Sequence, residues 1–264
     1  MFLLRRKVSR MADRFSSRRT ENITSFIWKA VILLFFLGTS LSSCGITLFS
    51  SNCSGVSVFC GNNGTVLAPD ATSQVHAAAT VTTIKKSKPL ASDPMSRQDN
   101  NLWGDDAYCS FHNHAYLVAY SSSTVGTYTC ASSRLHYGDA AIQIDVTAIS
   151  GASAGMIFRA NPSLSEFYDF VIAHGQYTLG LFSSNNSTTN LIPATSNSAI
   201  HGTREKNTLL VITKGNDIKL FINGVFVGET HDNTLTTGYV GVSVSNYANT
   251  QVQASFSNLV IYRA

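Results

Sequence analysis

A chain of 264 residues with 13% charged residues holds about half the ~25% typical of globular proteins, so Ser, Thr, Asn and Gly must supply much of its polar surface. The formal charge of +4 is unevenly placed: 8 of the 19 Lys/Arg and 2 of the 15 Asp/Glu fall in residues 1–43, leaving 11 basic against 13 acidic groups, net −2, in the rest. Nucleic-acid binding needs basic side chains to meet phosphates, so this composition sets nucleic acid aside and fits a β-protein outside the cytoplasm.

The N-terminus reads as an address. Residues 1–29 are basic and polar, residues 30–38 are wholly apolar, and no charge follows until Asp70. A basic flank before an apolar run keeps the N-terminus in the cytoplasm and sends the following chain outward. Nine apolar residues fall short of the ~20 that span hydrocarbon. Extending the run to residue 49 brings in Thr39, Ser40, Ser42, Ser43, Cys44 and Gly45, which suit a membrane poorly. The stretch Leu41-Ser42-Ser43-Cys44 resembles a bacterial lipobox, which implies cleavage before Cys44 and diacylation of its thiol. The long basic region departs from that pattern, although translation from Met11 would shorten it. Lipidated Cys44 and an uncleaved apolar anchor both remain open, and both place residues 53–264 outside the cytoplasm at the cell membrane.

Five cysteines are present: Cys44, Cys53, Cys60, Cys109 and Cys130. With Cys44 taken by lipid, four remain and permit three pairings. The local pairing Cys53–Cys60 and Cys109–Cys130 is the expected one, in an oxidising compartment that lets disulfides persist. The spacings provide no close C-x-x-C pair, so no zinc site is expected.

Residues 44–100 read as a flexible tether, rich in Ser, Thr, Ala, Asn and Gly and without helical period or strand alternation. The folded domain is expected at 101–264. Short alternating or apolar runs follow one another there: 116–121, 140–150, 154–161, 167–173, 177–182, 207–213, 218–222, 225–230, 239–245 and 252–262. Turn signals separate them, the clearest being Asn223-Gly224, where both residues tolerate positive φ. The pattern predicts an all-β sandwich. Trp103, ahead of the main strands, is expected to plug its edge.

The stretches GMIFRAN, FYDFVIAHGQYTLGLF, NTLLVITKGNDIKLFINGVFVGETHD, GYVGVSVS and FSNLVIY resemble the concanavalin A-like (laminin-G-like) jelly roll over residues 140–262. The positions that carry the resemblance are Leu209, Val211, Gly215, Ile218, Leu220, Phe221, Ile222, Asn223 and Gly224, then Gly238, Val240 and Gly241. The nearest variety is the bacterial 3-keto-disaccharide hydrolase-like or family 16 glycoside hydrolase-like domain. The segment CSFHNHAYLVAYSSSTVGTYTC resembles a hairpin closed by a disulfide in some members. The resemblance implies a two-sheet jelly roll and sugar-related chemistry or binding.

Signals for catalysis are sparse. Glycoside hydrolysis generally uses two carboxylates flanking the bond, and the one-strand Glu-x-Asp-x-x-Glu run of true family 16 enzymes is missing. Glu166/Asp169 and Glu229/Asp232 are three apart, which on a strand sends them to opposite faces; Asp145 stands alone, and Asp105-Asp106 precedes the sandwich. His112 and His114 lack a third metal ligand. His231-Asp232-Asn233 offers only a weak calcium signal, so no cofactor is expected. Arg159, Tyr168 and Tyr177 lie on consecutive expected strands and are the candidate ligand-binding residues, since sugars favour aromatic rings with a few polar anchors; their competing role is packing within the sheet. The expected function is a membrane-anchored module binding a glycan without catalysis. Alternatives are a glycoside hydrolase-like enzyme on a di- or polysaccharide, and a protein-interaction module.

Overall fold

The computed structural model describes residues 69–99, 102–151, 153–246 and 249–264. Cys44, the pair Cys53 and Cys60, and the apolar run 30–38 lie outside the described residues. Among the described residues, fourteen strands form two antiparallel sheets. One has the order β12 (Val225–His231), β11 (Asp217–Ile222), β10 (Lys206–Lys214), β5 (Ala140–Ser150), β14 (Thr250–Tyr262), β3 (Ala115–Ser122), β2 (Cys109–His112), with β1 (Ala91–Asp93) pairing the far end of β14. The other has the order β4 (Gly126–Tyr137), β13 (Gly238–Asn246), β6 (Ser153–Ala160), β7 (Phe167–Ala173), β8 (Gln176–Phe182), β9 (Thr188–Ser196).

Period-two burial makes the sandwich. Ile142, Ile144 and Val146 of β5 and Leu209 and Val211 of β10 face Met156 and Phe158 of β6, Tyr168 and Phe170 of β7, and Val240, Val242 and Val244 of β13 in one core. The Asn223-Gly224 turn forms as read, with φ of 51° and 83°, and Asn223 Oδ1 accepts from the Thr208 amide at 2.7 Å. The strands unannounced by the sequence lie at or near sheet edges. β4 and β9 carry Ser, Thr and, in β9, Pro193, because an edge strand buries less of itself.

The tether reading needs correction from residue 70 onward. Residues Ala71–Lys85 form helix α1, N-capped by Asp70, whose Oδ1 accepts from the Ser73 amide at 2.7 Å. Ala77, Val81 and Ile84, spaced i, i+4, i+7, pack on Leu210, Ile212, Phe221 and Phe226 on the outer face of the eight-stranded sheet. The Gln74 side-chain amide both donates to the Phe226 carbonyl and accepts from its N–H, pairing the edge of β12 as a strand would. The stripe is hard to see in sequence because the opposite side of the helix is also Ala, Val and Thr: Val75 is 66% exposed. Among the described residues, no helix is long and apolar enough to cross a membrane.

Cys109 and Cys130 are disulfide-bonded as expected, across 21 residues of sequence. The bond joins β2, the edge of one sheet, to β4, the edge of the other, and so staples the sandwich along one seam. Trp103 closes the same seam: it is 2% exposed, bridges to Ser132 on β4, and its indole N–H donates to Asp93 at 2.8 Å. The Tyr108, Tyr120 and Tyr128 rings pack together beside it. Replacing both cysteines by Ser should lower unfolding stability by ~3 kcal/mol, the loop-closure value for a ring of this size, measured by urea unfolding. A loss of under ~0.5 kcal/mol would mean that the seam is held by its aromatic packing alone.

Candidate functional site

The three residues expected to bind ligand are occupied by the protein itself. Arg159 is 2% exposed. A bulge in β6 puts it at φ 50° and turns its guanidinium into the end of the sandwich. There it donates to the carbonyls of Gly138 (3.3 Å), Leu235 (3.0 Å) and Gly215 (3.0 Å) and lies 3.5 Å from Asp139. Tyr168 faces the core, stacks on Phe158 and donates its hydroxyl to Asp232. Tyr177, also buried, donates to the Val227 carbonyl across the sandwich. Burial raises the pKa of both phenols to about 12. Alternation explains the correction: tyrosines opposite core positions of a neighbouring strand point inward, however sugar-like their composition looks.

The weighed acids are mostly structural. Asp145 sits on the outer face of the eight-stranded sheet. Burial raises its pKa, but hydrogen bonds from Asn258, Thr208 and Lys206 outweigh that and hold it below the usual carboxylate range. Glu166 precedes β7 and accepts from Asn161. Glu229 pairs with Lys219 at 2.6 Å, and His231 with Asp217 at 2.7 Å. Asp232 braces Tyr168 and the Thr234 amide. Asp106 caps the amides of Tyr108 and Cys109. His112 and His114 are exposed at the β2–β3 turn. Among the described residues, no three His, Cys, Asp or Glu side chains gather as a metal-ligand set.

Asp169 is the exception. It lies mid-β7, opposite Ile157 of β6 and Gly180 of β8, on the outer face of the six-stranded sheet. Its Oδ1 accepts from the Ser243 hydroxyl at 2.6 Å. Ser243 is on β13, with β6 between the two strands. Two strand spacings amount to about 9.6 Å on a flat sheet, so side chains that meet across them lie on a concave face. Gly155 makes the reach possible. It pairs with both Ser243 and Val171, and a Cβ there would stand 2.0 Å from the Phe170 carbonyl oxygen. The Asp169 Oδ2 atom makes no hydrogen bond among the described residues. Burial raises the Asp169 pKa to about 7 against the pull of Ser243, and no neighbouring charge contributes. Along the same face the half-buried Phe182 stacks at 4.8 Å on Phe167, which is itself buried beneath Leu164 and its neighbours, and the half-buried Tyr239 lies edge-on to His136 at 5.0 Å.

This is a partly exposed carboxyl group that is half protonated near neutrality, on a concave apolar and aromatic floor. It can accept hydrogen bonds when ionised and donate one when protonated. Sequence weighed Asp169 as half of an acidic pair or as a partner of Arg159, and gave no sign of Ser243. Their meeting depends on register across three strands. The available signal was the set of glycines facing the same side: Gly155, Gly180 and Gly241.

Because Asp169 binds its proton more tightly folded than unfolded, its contribution to stability is fully present below the ordinary aspartate pKa of 3.8 and is lost as pH rises to about 7, by at most ~1.4 kcal/mol per pH unit. The Asp169→Asn variant should lose that slope and be more stable than the parent at pH 8 by urea unfolding. Equal slopes in both proteins would contradict a desolvated Asp169. Gly155→Ala should lower stability sharply, by ~2 kcal/mol or more, as strain in a close-packed sheet.

No protein-family model matches the chain, and no curated protein sequence matches it. Solved structures do. A protein of unknown function with a galectin-like fold from Bacillus subtilis is 13% identical over 67% of this chain and 96% of its own, TM-score 0.51. The laminarinase catalytic domain of Thermotoga maritima is 9% identical over 67% and 98%, TM-score 0.51. The endo-β-1,3-glucanase of Pyrococcus furiosus is 9% identical over 67% and 94%, TM-score 0.51. At such identities the likeness is one of fold. The described chain is a concanavalin A-like jelly-roll sandwich, the all-β architecture that its strand motifs resemble.

Proposed function

We propose that the sandwich is a non-catalytic module that binds an uncharged saccharide on the concave face of the six-stranded sheet. The observation that carries this reading is the free Oδ2 of Asp169 on a concave floor flanked by aromatic side chains. Sugars bind where a few fixed polar groups meet flat apolar surface. An anionic sugar would face Asp169 with no cation beside it, so a neutral one fits better. Two of the similar folds are named as a laminarinase and an endo-β-1,3-glucanase, which suggests β-glucans as the first ligands to test. The basic and apolar N-terminal sequence supports presentation outside the cytoplasm on a membrane anchor, with or without lipid on Cys44.

A hydrolase is the second reading, and Asp169 favours it in one respect: a carboxyl group titrating near 7 suits a general acid. The paired-carboxylate mechanism requires a partner within about 10 Å. Asp145, a buried acid weighed from sequence, lies on the outer face of the opposite sheet.

Probing a glycan array with the purified chain, then incubating each hit and looking for cleavage, separates the readings. The expected result is binding to neutral glycans left intact, weakened at least tenfold by Asp169→Ala and unchanged by Tyr177→Phe. Cleavage that disappears in Asp169→Ala would establish the hydrolase instead, and silence from folded protein would remove the saccharide.

A further inference from the structure

The outer face of the eight-stranded sheet combines two features that neither the fold nor saccharide binding requires. The first is apolar. Helix α1 and the sheet enclose a groove of about 390 Å³, open to solvent, to which Ile84, Ile212 and Ala264 contribute apolar surface. The same outer face carries two of the five exposed large apolar side chains among the described residues: Val75 (66% exposed), on the side of α1 turned away from the sheet, and Leu90 (44%). Val75 follows Gln74, which pairs with Phe226, and the Leu90 amide donates to the Ile261 carbonyl, one residue from the Tyr262 that packs in the helix cluster.

The second feature is charge. Lys85 ends α1 and Lys86 caps it, both next to Ile84; Lys214 and Lys219 lie on the groove wall, and Arg263 adjoins Ala264. Of the nearby acids, Glu229 pairs with Lys219, and Asp217, also on the groove wall, lies 2.7 Å from the His231 ring. Lys85, Lys86, Lys214 and Arg263 are exposed and form no ion pair among the described residues. A face with unpaired cations on a chain whose residues 44–264 carry net −2 is a local concentration of positive charge, assembled from three separate segments at residues 85–86, 214–219 and 263.

We propose that this face docks on an anionic lipid bilayer. Lys85, Lys86, Lys214 and Arg263 meet lipid phosphates, while Val75 and Leu90 enter the acyl boundary beside them. Cations rimming apolar surface are what interfacial binding requires. A hydrophilic polyanion would use the cations and leave the exposed apolar side chains and the groove without a role. Docking here turns the concave face of the opposite sheet away from the membrane, toward glycans. The proposal depends on no N-terminal anchor and does not rest on the saccharide reading.

Residues 69–264 contain both sheets, the disulfide and all three hydrophobic clusters, so a chain starting at Pro69 retains every interaction described. Its sedimentation with vesicles of 70% phosphatidylcholine and 30% phosphatidylglycerol, against phosphatidylcholine alone, is the test. Each cation near an anionic surface is worth about fivefold in partitioning. The expected result is binding only to the anionic vesicles and release by 0.5 M NaCl, a concentration set on the order of that which screens surface charge within ~4 Å. The triple variant Lys85→Gln/Lys86→Gln/Lys214→Gln should bind about 100-fold more weakly, and Leu90→Ser should also weaken binding. Arg134→Gln, exposed on β4 of the other sheet, should have no effect. Any of three results would overturn the proposal: no binding to anionic vesicles by the folded chain, binding indifferent to the triple variant, or soluble polyphosphate binding as tight as vesicle binding and equally indifferent to Leu90→Ser.

Discussion

One buried guanidinium organises an end of the sandwich. Arg159 occupies a left-handed backbone position, which for a non-glycine residue costs about 1–3 kcal/mol, in the bulge of β6. Its three carbonyl partners come from the β4–β5, β10–β11 and β12–β13 connections, which draw on both sheets. Hydrogen bonds from a charged donor are worth about 1.5–3 kcal/mol each, enough to offset the strain. Tyr168 and Asp232 close the same corner. The bulge also strengthens the local twist of β6, the strand across which Ser243 reaches Asp169. Sheet curvature, and with it the concave face, therefore traces to β6: a bulge at one end and Gly155, which leaves no side chain in the way, near the other.

The two outer faces have opposite characters. The six-stranded sheet presents aromatic side chains, glycines and one desolvated carboxyl group with no charged neighbour. The eight-stranded sheet is covered in part by α1, satisfies Asp145 fully, and gathers lysines around an apolar groove. Because the two sheets back onto one core, whatever engages one face is held away from the other. The disulfide and the Trp103 contact lock the seam along which the sheets would otherwise part.

How much was legible in the sequence follows from how local each feature is. The central strands announced themselves through period-two burial, and β5 and β7 occupy the same residues as their expected runs, 140–150 and 167–173. The Asn223-Gly224 turn is a two-residue signal and formed as read. Helix α1 was missed because its buried stripe, Ala77, Val81 and Ile84, shares a helix with exposed alanines and Val75, so no contrast of faces survives in the sequence. Arg159, Tyr168 and Tyr177 have the composition of a sugar site, but register turns two of them inward and a bulge turns the third. Asp169 and Ser243 meet across 74 positions, and the lysine-rimmed groove joins α1 to β10, β11 and the last residues of the chain; neither has a local signature.

The most direct test of the concave-face assignment is amide chemical-shift mapping of the folded chain titrated with a neutral gluco-oligosaccharide. The account predicts shifts concentrated at Gly155, Ile157, Asp169, Gly180, Tyr239 and Ser243, all on one face of the six-stranded sheet. Saturable shifts at the strand ends or on the eight-stranded sheet, with Asp169 and Ser243 silent, would contradict it.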